Sequence, residues 1–353
     1  MRVLGVESSC DETAFALVED GRRVIASAVA SQHDLHEEFG GVVPEIASRA
    51  HVERLIPTLR TALREAGRNL SEVDAIAVGH TPGLIGALLV GVSCAKALSW
   101  ALGVPLVGVD HVRAHLYAGL LDTDLDESAR FPALGFVGSG GHTALYEMAS
   151  PTSTTRLGAT IDDAIGEAYD KVGAMLELGH PGGPVVDRLA QTGDERAHDF
   201  PVSTLGKDSL DFSFSGLKTA VLYAIRGQPT KGPDGKPLFA RDASDLSSAG
   251  VADLCASFQR AAVRAVVKKV ERAHERLPAA RTLFVGGGVA ANSALRTALG
   301  AWGERSGVRV VLPELRFCVD NGAMIAGLGS RMLEAGVRDD LSLCAVPSGG
   351  APS

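Results

Sequence analysis

Val3-Leu-Gly-Val-Glu-Ser-Ser-Cys-Asp-Glu-Thr-Ala-Phe-Ala-Leu-Val18 is an apolar run, a small polar turn and a second apolar run. Further along, Ala133-Leu-Gly-Phe-Val-Gly-Ser-Gly-Gly-His-Thr-Ala-Leu-Tyr-Glu-Met148 has the same plan, with Leu4-Gly5, Ser9 and Thr13-Ala14 recurring as Leu134-Gly135, Ser139 and Thr143-Ala144 at an offset of 130. Each copy reads as strand, tight turn, strand. Such a turn exposes backbone N–H groups, so two copies facing each other would clamp a phosphate. A duplicated chain is one explanation of the echo, and chance similarity between two hairpins is the other.

Outward from these hairpins, short apolar runs at Val3–Val6, Ala75–Val78, Leu106–Val109, Ala133–Val137 and Leu283–Val285 each lead into Gly, Asp or Glu. Helical apolar periods fall between many of them, at Arg49–Glu65, Gly86–Leu102, Val251–Arg276 and Ala323–Glu334. The alternation predicts an α/β fold. The 353 residues are about twice a usual domain of roughly 100–200, so two lobes are expected, 1–128 and 129–353, with the C-terminal helix packing back on the first. Gly227–Ser247, with Pro-Asp-Gly at 233–235, reads as an exposed insertion dispensable to catalysis, and Pro347–Ser353 as a fraying tail.

Hydrophobic residues make up 46% and charged residues 22%, an ordinary globular composition. The net charge of −8 works against non-specific attraction to nucleic acid, so any RNA must be met by a local surface. Five cysteines without a C-x-x-C pair suggest neither a disulfide framework nor a zinc ribbon, and fit a reducing compartment. Met1-Arg2 runs straight into an apolar strand, unlike a secretory leader, and a cytoplasmic protein is expected. Leu84–Val109 is apolar, but Lys96 sits in its middle and Pro105 near its end, which predicts a buried helix followed by a strand and no membrane span.

His111-Val-Arg-Ala-His115 follows the apolar run Val104–Val109. If helical, this i, i+4 spacing puts both imidazoles on one face, a geometry suited to a divalent metal. Val112 stands where a zinc protease of the His-Glu-x-x-His type has its general base, so peptide hydrolysis is disfavoured. Two unrelated surface histidines would show the same spacing. Asp320, in Phe317-Cys-Val-Asp-Asn-Gly-Ala-Met324, is a candidate third ligand at a loop-to-helix junction. Asp and Asn are also favoured helix caps there, and the sequence does not separate the two roles.

Glycine-rich turns lie at Gly138–Thr143, Pro181–Pro184 and Gly286–Asn292; each could approach a nucleotide closely or be a plain turn. The last follows a strand and precedes a helix near Ser293–Leu299, where N–H groups and the helix dipole favour phosphate. There is neither a G-x-G-x-x-G fingerprint with a partner acid nor a G-x-x-x-x-G-K-[ST] loop, which disfavours a dinucleotide Rossmann domain and a P-loop ATPase. Asp163, Glu167, Asp170 and Lys171 fall near one side of a helix, where Asp170 could accept hydrogen bonds from ribose hydroxyls; a solvated face with internal ion pairs fits the same spacing. Ser8, Ser9, Asp11 and Glu12 line the first turn, where they could position a phosphate, a cation or a proton transfer, or simply form the turn.

Taken together, these segments resemble the tRNA threonylcarbamoyladenosine synthesis family of the bacterial TsaD type, once misnamed O-sialoglycoprotein endopeptidase. The resemblance runs in order from Gly5–Thr13 through Phe39–His51, His111/His115, Ser139–Thr143, Asp162–Lys171, Pro181–Asp187, Asp211–Thr219 and Gly287–Asn292 to Asp320–Met324. It implies a two-lobed actin/Hsp70-like (duplicated ribonuclease H-like) ATPase fold with a central cleft. It also implies an acyltransferase, with one divalent ion per subunit, Fe²⁺ first and Zn²⁺ second, on His111, His115 and Asp320. Threonylcarbamoyl-AMP is implied at Val137, Gly138, Ser139, Gly140, Gly141, Asp170, Gly183, Asp187 and Asn292. The implied partners are tRNA, an adenylate-forming synthase, an inactive TsaB-type paralogue as heterodimer partner and a small TsaE-type ATPase. The resemblance supplies no general base; Glu12 and Asp11 are candidates from their own chemistry.

Three segments depart from the family pattern. Gly79-His-Thr-Pro-Gly-Leu84 stands where Thr-x-Gly-Pro-Gly-Leu is usual, Val319 where Thr precedes the metal-binding Asp, and Gly138 where Val is usual. They bear on local loop shape and ligand packing, and remove no ligand. The competing readings are a carbohydrate or acetate kinase of the same superfamily, against which the His pair speaks, the metalloprotease, and a non-catalytic scaffold.

Overall fold

The computed structural model describes residues 1–124, 130–203, 205–231 and 236–348. The lobe boundary expected at 128/129, the Pro-Asp-Gly turn at 233–235 and the end of the tail lie outside the described residues. The strands are β1 (Arg2–Glu7), β2 (Glu12–Glu19), β3 (Arg23–Ser31), β4 (Ala75–Thr81), β5 (Leu106–Asp110), β6 (Ala133–Gly138), β7 (Thr143–Ser150), β8 (Ser153–Ala159), β9 (Thr230–Lys231), β10 (Pro237–Leu238), β11 (Thr282–Gly286) and β12 (Arg309–Val311). The α-helices are α1 (His33–His36), α2 (Pro44–Ala66), α3 (Ile85–Leu102), α4 (His111–Tyr117), α5 (Ile165–Met175), α6 (Gly182–Ala190), α7 (Ser215–Arg226), α8 (Ser248–Arg276), α9 (Ser293–Ser306) and α10 (Gly322–Glu334).

Two five-stranded sheets share one topology, β3-β2-β1-β4-β5 and β8-β7-β6-β11-β12. In each, an antiparallel meander is extended by two parallel strands. The hairpin registers coincide at the offset of the sequence echo: Gly5 faces Ala16, and Gly135 faces Tyr146. Parallel pairing needs crossovers, and α3 and α9 follow β4 and β11 to supply them.

The packing makes five layers. α2 and α3 cover the outer face of the first sheet, burying Leu4, Val6, Phe15, Ile76 and Val78. Helices α5, α7, α8 and α9 build the outer core of the second around Phe136, Phe212, Phe258 and Trp302. Between the sheets lie α4 and α10, in one apolar cluster that draws residues from both sheets, among them Val3, Ala77, Val109, Tyr117, Val137, Phe284 and Ile325. The C-terminal α10 packs on β1, β2 and β4 of the first sheet, while α4, which directly follows the first sheet, packs on β6 and β11 of the second.

These helices approach so closely that glycine is required. A Cβ on Gly5 would lie 2.0 Å from the Gly322 carbonyl oxygen, and one on Gly327 would lie 2.6 Å from the Tyr117 ring. The duplicate of Gly5, Gly135, meets α4 in the same manner, its Cβ position 2.9 Å from Leu116.

Two expectations are adjusted. α3 and β5 fall where the apolar run predicts a helix and a strand, but the helix is not buried: 33% of its residues are, while Ile85, Leu89 and Trp100 are exposed. One face packs on β4 and α2 and the other presents apolar side chains outward. By length and composition alone α3 could cross a membrane. The glycines at Pro181–Pro184 are not a plain turn, because Gly182 and Gly183 open α6.

Gly5→Ala is expected to cost about 1–3 kcal/mol through overpacking, with the urea midpoint falling at unchanged m-value. An unchanged midpoint would show that α10 can retreat freely from β1.

Candidate metal centre and cleft

Asp110 ends β5 and caps α4, its side chain accepting the Arg113 N–H at 2.9 Å. That cap fixes the first turn of α4, so His111 and His115 point the same way, both buried. Asn321 caps α10 by accepting the Met324 N–H at 2.9 Å. The helix-cap alternative for Asp320 is thereby taken by its neighbour, and Asp320 turns to the histidines. Its Oδ1 lies 3.4 Å from His111 Nε2 and 3.1 Å from His115 Nε2.

One ligating atom from each of the three residues lies within 4.8 Å of the others. Neither ring nitrogen of buried His115 has a hydrogen-bond partner among the described residues; the Asp320 contact is close but poorly directed for one. Two buried Nε2 atoms and a half-buried carboxylate oxygen that converge in this way fit a single divalent ion.

The charges follow from this crowding. Burial opposes a charge on His111, but Asp320 and Glu7 outweigh it and hold its imidazolium up to about 10. Burial, reinforced by His111, lowers His115. Burial acts to raise Asp320, yet His111 and His115 keep it well below the usual carboxylate range.

The turn of the first hairpin brings Asp11 and Glu12 to the same region. Burial, then the charges of Asp320 and Asp11, push the Glu12 carboxyl well above its ordinary value. His33 Nε2 lies 3.4 Å from Glu12 Oε1 and 3.5 Å from Asp11 Oδ2, and its ring meets that of His180 edge-on at 6.4 Å. The turn itself is held by His51 of α2, whose Nδ1 lies 2.7 Å from Thr13 Oγ1 and whose Nε2 lies 2.9 Å from the Cys10 carbonyl.

The second hairpin turn, Gly138–His142, closes through Ser139 N–H to the His142 carbonyl at 2.8 Å. Val137 is buried behind it, while a Cβ on Gly140 or Gly141 would meet nothing within 4 Å. Gly287 presses against it, a Cβ there standing 2.4 Å from the Gly138 carbonyl.

Asp170 Oδ1 accepts from the N–H groups of Gly182 and Gly183 at 2.9 and 3.2 Å. Asp187 accepts from Ser293 N and Oγ at 3.0 and 2.7 Å. Asn292 caps α9 and donates to Gln259 Oε1 at 2.8 Å and to the Tyr169 hydroxyl at 3.4 Å. Hydrogen bonds thus tie α6 to α5 and to α9, and α9 to α5 through Asn292 and Tyr169. The ion-pair alternative is also realised: Lys171 pairs with Glu167, four residues earlier on α5, at 2.7 Å, and with Asp163, which precedes the helix, at 2.6 Å.

Two site residues escape sequence reasoning. His142 stands at the duplicate position of Glu12, and burial followed by the charges of His111 and His115 pushes it down to about 4. The offset of the echo was the available signal. Glu7, fully buried, lies with Oε2 3.0 Å from His111 Nδ1; nothing in the sequence separates it from a strand residue.

Two sheets of one topology with a helix pair between them define the duplicated, two-lobed actin/Hsp70-like class. Among solved structures, HypF of T. kodakarensis superimposes with a TM-score of 0.58 at 17% identity, over 97% of this chain and 49% of that one. Component A of the (R)-2-hydroxyglutaryl-CoA dehydratase of Acidaminococcus fermentans gives 0.53 at 12%, over 95% and 99%. Within that class, the family model described as TsaD, tRNA N6-adenosine threonylcarbamoyltransferase, matches residues 23–327. Proteins of that name from Trichlorobacter lovleyi and Bacillus subtilis are 50% and 46% identical, over 97% and 96% of this chain and 95% and 92% of theirs. The chain belongs to this family of transferases, and the kinase alternative is not favoured.

Because His111 holds its proton to about 10 in the metal-free protein, binding a divalent ion at pH 7 should release about one proton. Affinity should therefore rise about tenfold per pH unit up to pH 9. Calorimetry in buffers of differing ionisation enthalpy reads the proton directly, and a pH-independent affinity would contradict the geometry.

Proposed function

We propose that the chain transfers the threonylcarbamoyl group from threonylcarbamoyl-AMP to the exocyclic amine of adenosine 37 in tRNAs that read codons beginning with A, releasing AMP. The observation that carries this reading is the convergence of His111, His115 and Asp320 beside the two hairpin turns, in a chain of this family. Two imidazoles and a carboxylate suit Fe²⁺ first and Zn²⁺ second. Bound there, the ion would supply Lewis acidity to the carbamoyl oxygen.

The protein's own groups divide the remaining work. Val137, Gly138 and Ser139 shape and back the glycine turn, and Gly140 and Gly141 offer N–H groups to the phosphate or carbamoyl oxygens. Gly183, with no side chain, lets the nucleotide approach the α6 N-terminus, whose first N–H groups hold Asp170 in place. Asp170 and Asp187 accept ribose hydroxyls, and Asn292, held by Gln259 and Tyr169, shapes that wall. As the amine nitrogen bonds to the carbamoyl carbon, the carbon–oxygen bond to phosphate breaks and AMP leaves with the electron pair. The amine proton passes to Glu12, with Asp11 beside it; a carboxyl held above its ordinary value is the better base once ionised.

An adenylate-forming synthase supplies the substrate. A TsaB-type paralogue pairs with the exposed apolar residues Val52 and Ile56 of α2 and Ile85 and Leu89 of α3, and a TsaE-type ATPase completes the assembly. A cytoplasmic location is the one that suits action on tRNA.

Nucleoside mass spectrometry of an unmodified tRNA, incubated with threonine, bicarbonate, ATP, the synthase and the assembly partners, is the direct test. Threonylcarbamoyladenosine should form with the wild type and not with His111→Ala; no product with either would sink the transferase reading. Glu12→Gln should lower kcat by about 10²–10⁴ with metal content unchanged, and normal turnover would remove Glu12 as the base.

A further inference from the structure

Glu7 is a fully buried carboxylate that the proposed transfer does not use. It ends β1 behind the metal centre. Its Oε1 accepts the Ser9 N–H at 2.5 Å, and its Oε2 lies 3.0 Å from His111 Nδ1. Gly79 leaves the room: a Cβ there would stand 2.6 Å from Glu7 Oε2.

We propose that Glu7 is the positioning residue of the metal centre: it keeps on Nδ1 the one proton that His111 retains when an ion binds, so that the proton released is the one on Nε2, the nitrogen that faces Asp320. The inference rests on the metal reading above. A neutral imidazole carries one proton, and the hydrogen bond at the far nitrogen decides where it sits. A carboxylate accepts and does not donate, so Nδ1 must be the donor. Ser9 Oγ, 3.2 Å from the same nitrogen, can donate or accept and makes no such choice. His115 Nδ1 has no hydrogen-bond partner among the described residues, so this control acts on His111 alone.

Glu7→Gln tests the idea at constant volume. The Ser9 N–H needs an acceptor, so the glutamine oxygen takes the Oε1 place and its NH₂ faces His111. The imidazole then has to accept at Nδ1 and carry its proton on Nε2, where the ion binds. Co²⁺ is titrated by visible absorbance, with Zn²⁺ in competition, into the metal-free full chain as wild type, Glu7→Gln and Ser9→Ala.

With affinities measured at several pH values and corrected for the proton released at His111, the expected result is a loss of about 10–100-fold for Glu7→Gln, with the far-UV circular dichroism of the wild type, and wild-type affinity for Ser9→Ala. Equal affinity of Glu7→Gln and wild type, or an equal loss in Ser9→Ala, overturns the assignment. Long-range ¹H–¹⁵N correlation on the zinc-loaded wild type is independent of whether a variant folds: His111 should show a protonated Nδ1 and a metal-bound Nε2, and the reverse overturns the proposal. A wild type that takes up no Co²⁺ overturns the metal reading itself, so the two failures are distinct.

Discussion

The packing of α4 and α10 between the two sheets is the constraint on which the rest depends. Each helix lies on the sheet that its own segment does not directly extend, α4 on β6 and β11, α10 on β1, β2 and β4. Their apolar faces share one core with both sheets, so neither lobe buries its inner face without the other. The ends that carry chemistry follow from that arrangement. His111 and His115 occupy the first turns of α4, and Asp320 the approach to α10, so the centre forms only when both helices are seated. Tyr117 reinforces the join, donating to the Gly21 carbonyl at 2.9 Å while Arg331 of α10 donates to its hydroxyl at 3.1 Å.

The two hairpins show how a duplication divides labour. Gly5 and Gly135 each admit an inner helix. Thr13 and Thr143 each tie a turn to a following helix, Thr13 to His51 and Thr143 to the Ile165 N–H at 2.8 Å. Where structure is needed the copies agree, and where chemistry is needed they part. Asp11 and Glu12 have glycine and histidine as their counterparts, so the first turn carries carboxylates and the second open backbone and a neutral imidazole.

Much of this was legible in the residues because it depends on local pattern. The apolar runs at Val3–Val6 and Leu283–Val285 sit inside β1 and β11, and the period at Val251–Arg276 inside α8. Third strands β3 and β8 were not read, since Arg23–Ser31 and Ser153–Ala159 lie at the sheet edges and alternate only loosely. The site was legible up to choices that only three-dimensional neighbours make. Asp320 and Asn321 are equally good caps on paper, and the fold gives the cap to Asn321. Asp170 reads as a ribose acceptor or a helix-surface charge, and its Oδ1 in fact holds α6. Glu7 and His142 depend on partners from elements distant in sequence, so no spacing announces them.

Electrostatics link these choices. Asp320 meets both imidazoles on their Nε2 side, and Glu7 meets His111 on the opposite side, at Nδ1. An ion held there, as proposed above, would also lie within the field of Asp11 and Glu12. The same ion changes the setting of Glu12. In its absence, burial and Asp320 are the largest causes holding that carboxyl above its ordinary value; with the charge of Asp320 offset, the second of these weakens and Glu12 ionises more readily. In the transfer proposed above, metal occupancy and the supply of a base by Glu12 would be coupled through Asp320, so that loss of the ion would remove Lewis acidity and basicity together.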